Sequence, residues 1–130
     1  MEAKQANAQK CALGKFGESL ACNYLSDLGY SIEERNYRFH HKELDIVAKD
    51  KDVFVIVEVK TRSANSMFDG SWSINRQKIS NVTTAGFAYA KAHLPNGGVR
   101  FDAVICQQNI DGTFTITHEK NAFCAPWKTY

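Results

Sequence analysis

Read from residue 13, large apolar residues recur at spacings of three and four: Leu13, Phe16, Leu20, Tyr24 and Leu28. That period predicts one stripe along an α-helix, and Gly29 supplies a left-handed stop. Tyr30 to Tyr37 then predicts a strand. A second strand is expected from Glu43 to Ala48, where Leu44 and Ile46 alternate with Glu43 and Asp45. After the polar turn Lys49-Asp50-Lys51-Asp52 comes the unbroken run Val53-Phe54-Val55-Ile56-Val57. A β-branched and aromatic run of that kind fills a central strand covered on both faces.

Ser63 to Trp72, rich in Ser, Asn, Asp and Gly, reads as a surface loop, long enough to be a candidate substrate-facing segment. A second helix is expected from about Ile74 to His93, with Ile79, Val82, Gly86 and Tyr89 on one side and a stop at Pro95-Asn96-Gly97-Gly98. Two more strands, Val99 to Cys106 and Thr113 to His118, flank Asp111-Gly112, a strong hairpin signal. The order helix, three strands, helix, two strands predicts an α/β fold in which helices pack on a mixed sheet.

At 130 residues with 44% hydrophobic and 23% charged positions, the chain reads as a single globular domain, 1–130, with residues 1–10 a flexible arm or the start of the first helix. The formal charge of +2 is near neutral, so any basic surface must be local, and composition does not identify a partner. Met1 to Asn7 lacks an apolar signal core and no run approaches membrane-spanning length, which predicts a cytoplasmic protein without a membrane partner. Cys11, Cys22, Cys106 and Cys124 lack the C-x-x-C pairing of a zinc site and read as reduced thiols, Cys22 and Cys106 packed in the core.

The chemistry concentrates in the hairpin. Side chains alternate along a strand, so Glu58 and Lys60 share one face, and Glu43 and Asp45 are paired the same way on the preceding strand. With an even-length turn centred near Asp50-Lys51, facing positions sum to an odd number, which brings Glu43, Asp45, Glu58 and Lys60 together. Three carboxylates near the end of a buried strand are expensive unless a positive charge holds them. Mg2+ suits such a site, since it favours oxygen ligands and is commonly bound by one or two carboxylates plus substrate phosphates. It would acidify a water and neutralise charge on a phosphoryl oxygen, with Lys60 placing the water or stabilising the transition state. The plainer alternative is an ion pair of Glu58 and Lys60 with Asp45 as a surface charge. Position favours the site, because a carboxylate directly after five apolar strand residues is hard to leave unpartnered.

The spacing of these residues is that of a known family. An Asp followed thirteen residues later by Glu58-Val59-Lys60, after a helix containing Gly14-Lys15-Phe16-Gly17-Glu18, resembles the restriction-endonuclease-like (PD-(D/E)XK) superfamily. It more closely resembles the bacterial YraN family of small uncharacterised proteins, distantly similar to archaeal Holliday junction resolvases. Asn36-Tyr37-Arg38, Thr61-Arg62, Lys78, Arg100-Phe101-Asp102 and the tail from His118 to Phe123 extend the likeness over nearly the whole chain. It implies a restriction-endonuclease-like core of helix, three-stranded antiparallel meander, helix and further strands. It also implies Asp45 and Glu58 as ligands of Mg2+ or Mn2+, Lys60 as the catalytic base or charge stabiliser, and Glu18 as an additional carboxylate. Periodicity alone puts Glu18 off the apolar stripe, as a solvated residue. One departure is Lys42, which stands before Glu43 where relatives commonly carry a small residue.

Lys60, Arg62, Arg76 and Lys78 are expected to converge and grip the phosphates of a nucleic acid, Lys78 with support from the resemblance, and Arg76 equally well as a solvated helix start. Phe68 and Trp72 are candidates to stack on unpaired bases or to fold back onto the core. His40-His41 has no recognised zinc spacing, and Asp102 reads as a structural hydrogen-bond acceptor or a support behind the site. Three function classes follow: a metal-dependent endonuclease acting on DNA, at branched or damaged sites; a non-catalytic nucleic-acid-binding module on a nuclease fold; and a protein-interaction module docking through its charged hairpin. A homodimer would suit a junction enzyme, but no residue announces the interface.

Overall fold

The structure, a computed structural model, describes residues 2–65 and 74–125, with side chains from residue 12 onward. Its elements are α1 (Glu2–Asp27), β1 (Ser31–Phe39), β2 (Lys42–Asp50), β3 (Val53–Arg62), α2 (Arg76–His93), β4 (Gly98–Gln108) and β5 (Phe114–Glu119). The strands form one sheet in the order β1-β2-β3-β4-β5. Three neighbouring pairs are antiparallel. The fourth, β3 with β4, is parallel and requires a crossover, which α2 supplies. This mixed sheet with two helices is the α/β arrangement expected from the element order, and it is consistent with the nuclease-like core that the resemblance implies.

Alternation along β3 sends Val55 and Val57 into a core under α1, with Ala21 and Leu25. Phe54 and Ile56 point the other way, into a core under α2 with Val82, Ala85 and Tyr89. The central strand is therefore covered on both faces, as its apolar run predicts. It is also longer than that run. From Glu58 to Arg62 it pairs with β4 alone, Glu58 opposite Ala103 and Arg62 opposite Gln107. The hydrophobic run marks only the part of β3 with a strand on each side.

The face of α1 differs from expectation. Phe16 and Leu28 are 51% and 49% exposed, while Leu20 and Tyr24 are partly buried at the edge of the core. The packed line is Gly17, Ala21 and Leu25, with Cys22 beside it. Small residues define this face because the helix lies close on the sheet: a Cβ at Gly17 would run into Thr61 Oγ1 of β3. On α2, Val82, Gly86 and Tyr89 are buried as expected, but Ile79 is only half-buried. That helix starts at Arg76, where Asn75 caps it by accepting the Lys78 backbone N–H at 2.8 Å. Phe68 and Trp72 lie outside the described residues, as does the Cys11 side chain. Cys22 and Cys106 are buried thiols, as expected, and burial pushes the Cys106 thiol up to about 11. No helix among the described residues is long and apolar enough to cross a membrane.

Between α1, β4 and β5 lies a satisfied polar cluster. Asp102, 0% exposed, accepts hydrogen bonds from Nε and Nη2 of Arg100 at 2.9 Å each and from the Asn121 backbone N–H at 3.1 Å. His118 Nε2 lies 2.8 Å from its other oxygen, and Arg100 also donates to the Tyr30 hydroxyl at 2.8 Å. Asp102 is thus a structural acceptor joining the last strands to the core. Burial alone would raise its carboxyl, but the donors from Arg100, His118 and Asn121 outweigh burial and hold it below the ordinary range.

Gly17→Ala should destabilise the protein by about 1–3 kcal/mol through overpacking against Thr61. Gly14→Ala in the same helix, where a Cβ meets nothing within 4 Å, should instead stabilise it by roughly 0.5–1 kcal/mol. Urea unfolding of both variants separates the effects, and equal shifts would contradict the close approach. Asp102→Ala should cost about 3–5 kcal/mol at pH 7, since it strands the Arg100 charge. A depressed carboxyl stabilises the fold above its unfolded value near ~3.9. The gap between parent and variant should therefore narrow as pH falls below that value.

Candidate active site

β2 and β3 are joined by the tight turn Lys51-Asp52, so Asp50 faces Val53 and Ile46 faces Val57. Facing positions sum to an odd number, as expected, although the turn is centred one residue later than Asp50-Lys51. The paired ladder ends at Ile46, before the site residues. Here β2 is irregular: Leu44 packs in the α2-side core and Ile46 in the α1-side core, although residues two apart on a regular strand share a face. The break falls at Asp45. Its side chain takes over from the backbone, Oδ2 accepting the Val59 N–H at 2.9 Å. Asn36, between the paired positions Arg35 and Tyr37 of β1, turns into the left-handed region at φ 52°. Asparagine tolerates that region better than most residues.

Where the strands part, a cavity of about 600 Å3 opens between α1 and the end of β3. Asp45, Glu58 and Glu18 line it together with Lys60, Thr61 and Arg62. A depression of about 680 Å3 beside the β4–β5 turn is larger, but Asp111 is its sole ionisable lining residue. The convergence of carboxyls and cations selects the cavity at β3.

Glu58 is the least satisfied of these groups. Its side chain is 14% exposed, and Oε1 is buried without a hydrogen-bond partner. Oε2 lies 3.4 Å from Lys78 Nζ. Burial, and then the charge of Asp45, push Glu58 up to about 8 despite Lys78. Asp45 is raised as well, by burial first, with the Val59 N–H and Lys78 opposing the rise. Glu18 is raised by burial and by Asp45, while a hydrogen bond from Asn36 and the charge of Arg35 oppose it. Lys78 and Arg35 thus do not offset the burial and crowding of the three carboxyls, and a hard cation would. Asp45 and Glu58 fit that role as an adjacent oxygen-donor pair. Among the described residues no three His, Cys, Asp or Glu side chains converge into a ready-made metal cage. The arrangement suits an ion whose other ligands are water and substrate phosphate.

The remaining expected residues fall into place unevenly. Glu18 belongs to the cavity wall, not to a solvated face, because the packed face of α1 runs through its neighbour Gly17. Glu43 stays at the rim: its charge acts on Asp45 and Glu18, but its carboxylate pairs with Arg38 at 3.5 Å. It does not line the cavity, because the strands have separated before it could face Lys60. Arg76 is exposed on the first turn of α2 and does not line the cavity. Lys78 meets Glu58 and is not a free phosphate ligand. His40 and His41 form the exposed β1–β2 turn, away from the lining residues. Sequence reasoning gave no role to Gly14 or Thr61, which also line the cavity. The spacing Gly14-x-x-Gly17 was the available signal for a bare helix face.

Residues 17–106 match the Uncharacterised protein family UPF0102. The chain belongs to this family. A UPF0102 protein of Bacteroides thetaiotaomicron is 42% identical over 119 residues, covering 92% of this chain and 98% of the relative. One from Parabacteroides distasonis is 37% identical with the same coverage, and one from Chlorobium chlorochromatii is 36% identical over 87% of this chain and 92% of its own length. The YraN resemblance read from the motifs is this same family. The matched UPF0102 segment runs from Gly17 to Cys106 and so contains Glu18, Asp45, Glu58 and Lys60.

The raised carboxyl makes a signed prediction. Glu58 binds its proton more tightly folded than unfolded, so its contribution to stability is full below the ordinary carboxyl range and is lost as pH rises to about 8. In EDTA, urea midpoints of the parent should fall between about pH 5 and 8. Glu58→Gln should flatten that slope. Identical slopes would refute the assignment of the titration to Glu58.

Proposed function

We propose that this UPF0102 protein is a divalent-metal-dependent endonuclease that hydrolyses DNA phosphodiester bonds. The observation that carries the reading is the pair Asp45 and Glu58 at the parting of β2 and β3, with Glu58 Oε1 buried and unpartnered beside Lys60. Asp45 and Glu58 would hold Mg2+ or Mn2+, with Glu18 available across the cavity as a further oxygen donor. When bound, such an ion acidifies a water and neutralises charge on the phosphoryl oxygen.

The chain's own residues do the rest. Asp45 is fixed by the Val59 N–H, which holds its Oδ2 at the cavity wall beside Glu58. Lys60, exposed at the cavity mouth, carries an ammonium able to orient the attacking water or to stabilise negative charge at the phosphorus. Arg62, two residues further along β3, also lines the cavity, where a phosphate of the nucleic acid would be gripped. The site sits on strand and helix backbone and not on a loop, which favours precise placement of a scissile phosphate. Branched DNA is the preferred substrate class, on the resemblance to junction resolvases.

Cleavage of duplex, single-stranded and four-way-junction DNA with Mg2+ or Mn2+ tests the proposal. Asp45→Ala and Glu58→Ala should each lower the rate by more than about a hundredfold, since residues merely behind metal ligands already cost about 10–100-fold. Variants that cut as well as the parent, or cleavage indifferent to EDTA, would overturn it. Salt-sensitive DNA association that survives Glu58→Ala, with no cleavage by the parent, would mark a binding module instead.

A further inference from the structure

Lys78 is held in an unusual position for a phosphate-binding residue. Asn75 caps α2 and takes the Lys78 backbone N–H at 2.8 Å, which anchors the residue in the first helical turn. From there its side chain crosses to β3, and Nζ stands 3.4 Å from Glu58 Oε2. The two ends of this contact are unlike: Lys78 is 42% exposed and Glu58 14%. Glu58 cannot leave its buried strand, whereas the ammonium can swing into water at small cost, regaining side-chain entropy. The pairing is also incomplete, because Glu58 Oε1 keeps no partner.

We infer that Lys78 is an exchangeable counter-cation. It stands against Glu58 Oε2 while the site is empty of metal, gives way when a divalent cation takes that carboxylate, and then places its ammonium on a phosphate of the bound DNA. Like charges repel strongly at a poorly solvated carboxylate, so the ammonium and a divalent cation compete for Glu58. Lys78 therefore weakens metal binding in the absence of nucleic acid. Once released, it strengthens the grip on DNA. Metal and DNA binding are coupled through one side chain, and linkage requires the coupling to be equal in both directions. The metal is held poorly until substrate is present. This inference rests on the metal-site reading of Asp45 and Glu58.

Calorimetric titration with Mn2+ tests it on the full chain, for the parent, Lys78→Met, Lys78→Arg and Glu58→Gln, without DNA and with a phosphorothioate-linked duplex that resists hydrolysis. Lys78→Met should bind Mn2+ alone roughly three- to tenfold more tightly than the parent, the range expected for removing one nearby like charge. Duplex should tighten Mn2+ binding to the parent about fivefold or more, with most of that gain lost in Lys78→Met and retained in Lys78→Arg. In Mn2+, the salt slope of DNA binding should fall by about 0.9 in Lys78→Met, the loss of one phosphate contact, with no such change in EDTA. Unchanged or weaker Mn2+ binding by Lys78→Met, or undiminished coupling, would overturn the exchange while leaving the metal site standing. Equal Mn2+ binding by the parent and Glu58→Gln would instead overturn the metal site, and the exchange with it. Lys78 is half-exposed on α2, so circular dichroism should show all four proteins equally folded.

Discussion

The hydrogen bond from the Val59 N–H to Asp45 Oδ2 is the contact on which the rest of the site depends. When β2 leaves β3, the next N–H groups of β3 lose their ladder partners, and a buried unpaired N–H is costly. A carboxylate at the point of departure replaces a missing carbonyl, so the strands can separate without stranding the donor. The same substitution brings a charge to the sheet interior, close to Glu58. One local repair thus opens the cavity and supplies its first carboxylate. The cost is electrostatic: two buried carboxyls side by side hold a proton tightly or require a cation.

The close approach of α1 has a similar double effect. Gly17 lets the helix lie against Thr61, and this contact turns Glu18 toward Asp45. A larger residue at position 17 would hold the helix away and widen the cavity. Helix packing and site geometry are consequently one constraint, expressed by a residue without a side chain. The helix face beside Gly14 adds open space to the same wall.

The sheet carries a second group of buried charges, and comparing the two shows what separates structure from chemistry. Asp102 has donors on both oxygens, from Arg100, His118 and the Asn121 backbone, and its carboxyl is held below the ordinary range. Glu58 has Lys78 on one oxygen and nothing on the other, and it is pushed up to about 8. Both carboxyls are buried on neighbouring strands of one sheet. The first is complete and joins the C-terminal strands to the core. The second is incomplete, which is the condition in which a side chain remains available to a ligand.

The sequence by itself determined the element order, the central strand, the odd-sum register of the hairpin and the candidate residues Asp45, Glu58 and Lys60. Those features are local, because side-chain alternation, apolar period and turn chemistry act over a few residues. The tertiary structure alone decided which face of α1 packs, since large apolar residues suggested the stripe through Phe16 and Leu28 while close approach to β3 required Gly17 and Ala21. It likewise decided that Glu18 enters the cavity, that Glu43 turns away to Arg38, and that Lys78 meets Glu58. Each of these depends on distances between elements far apart in the chain, which no spacing along it encodes. Above all, alternation predicted that the hairpin residues share a face, but the strand break at Asp45 fixed where they gather.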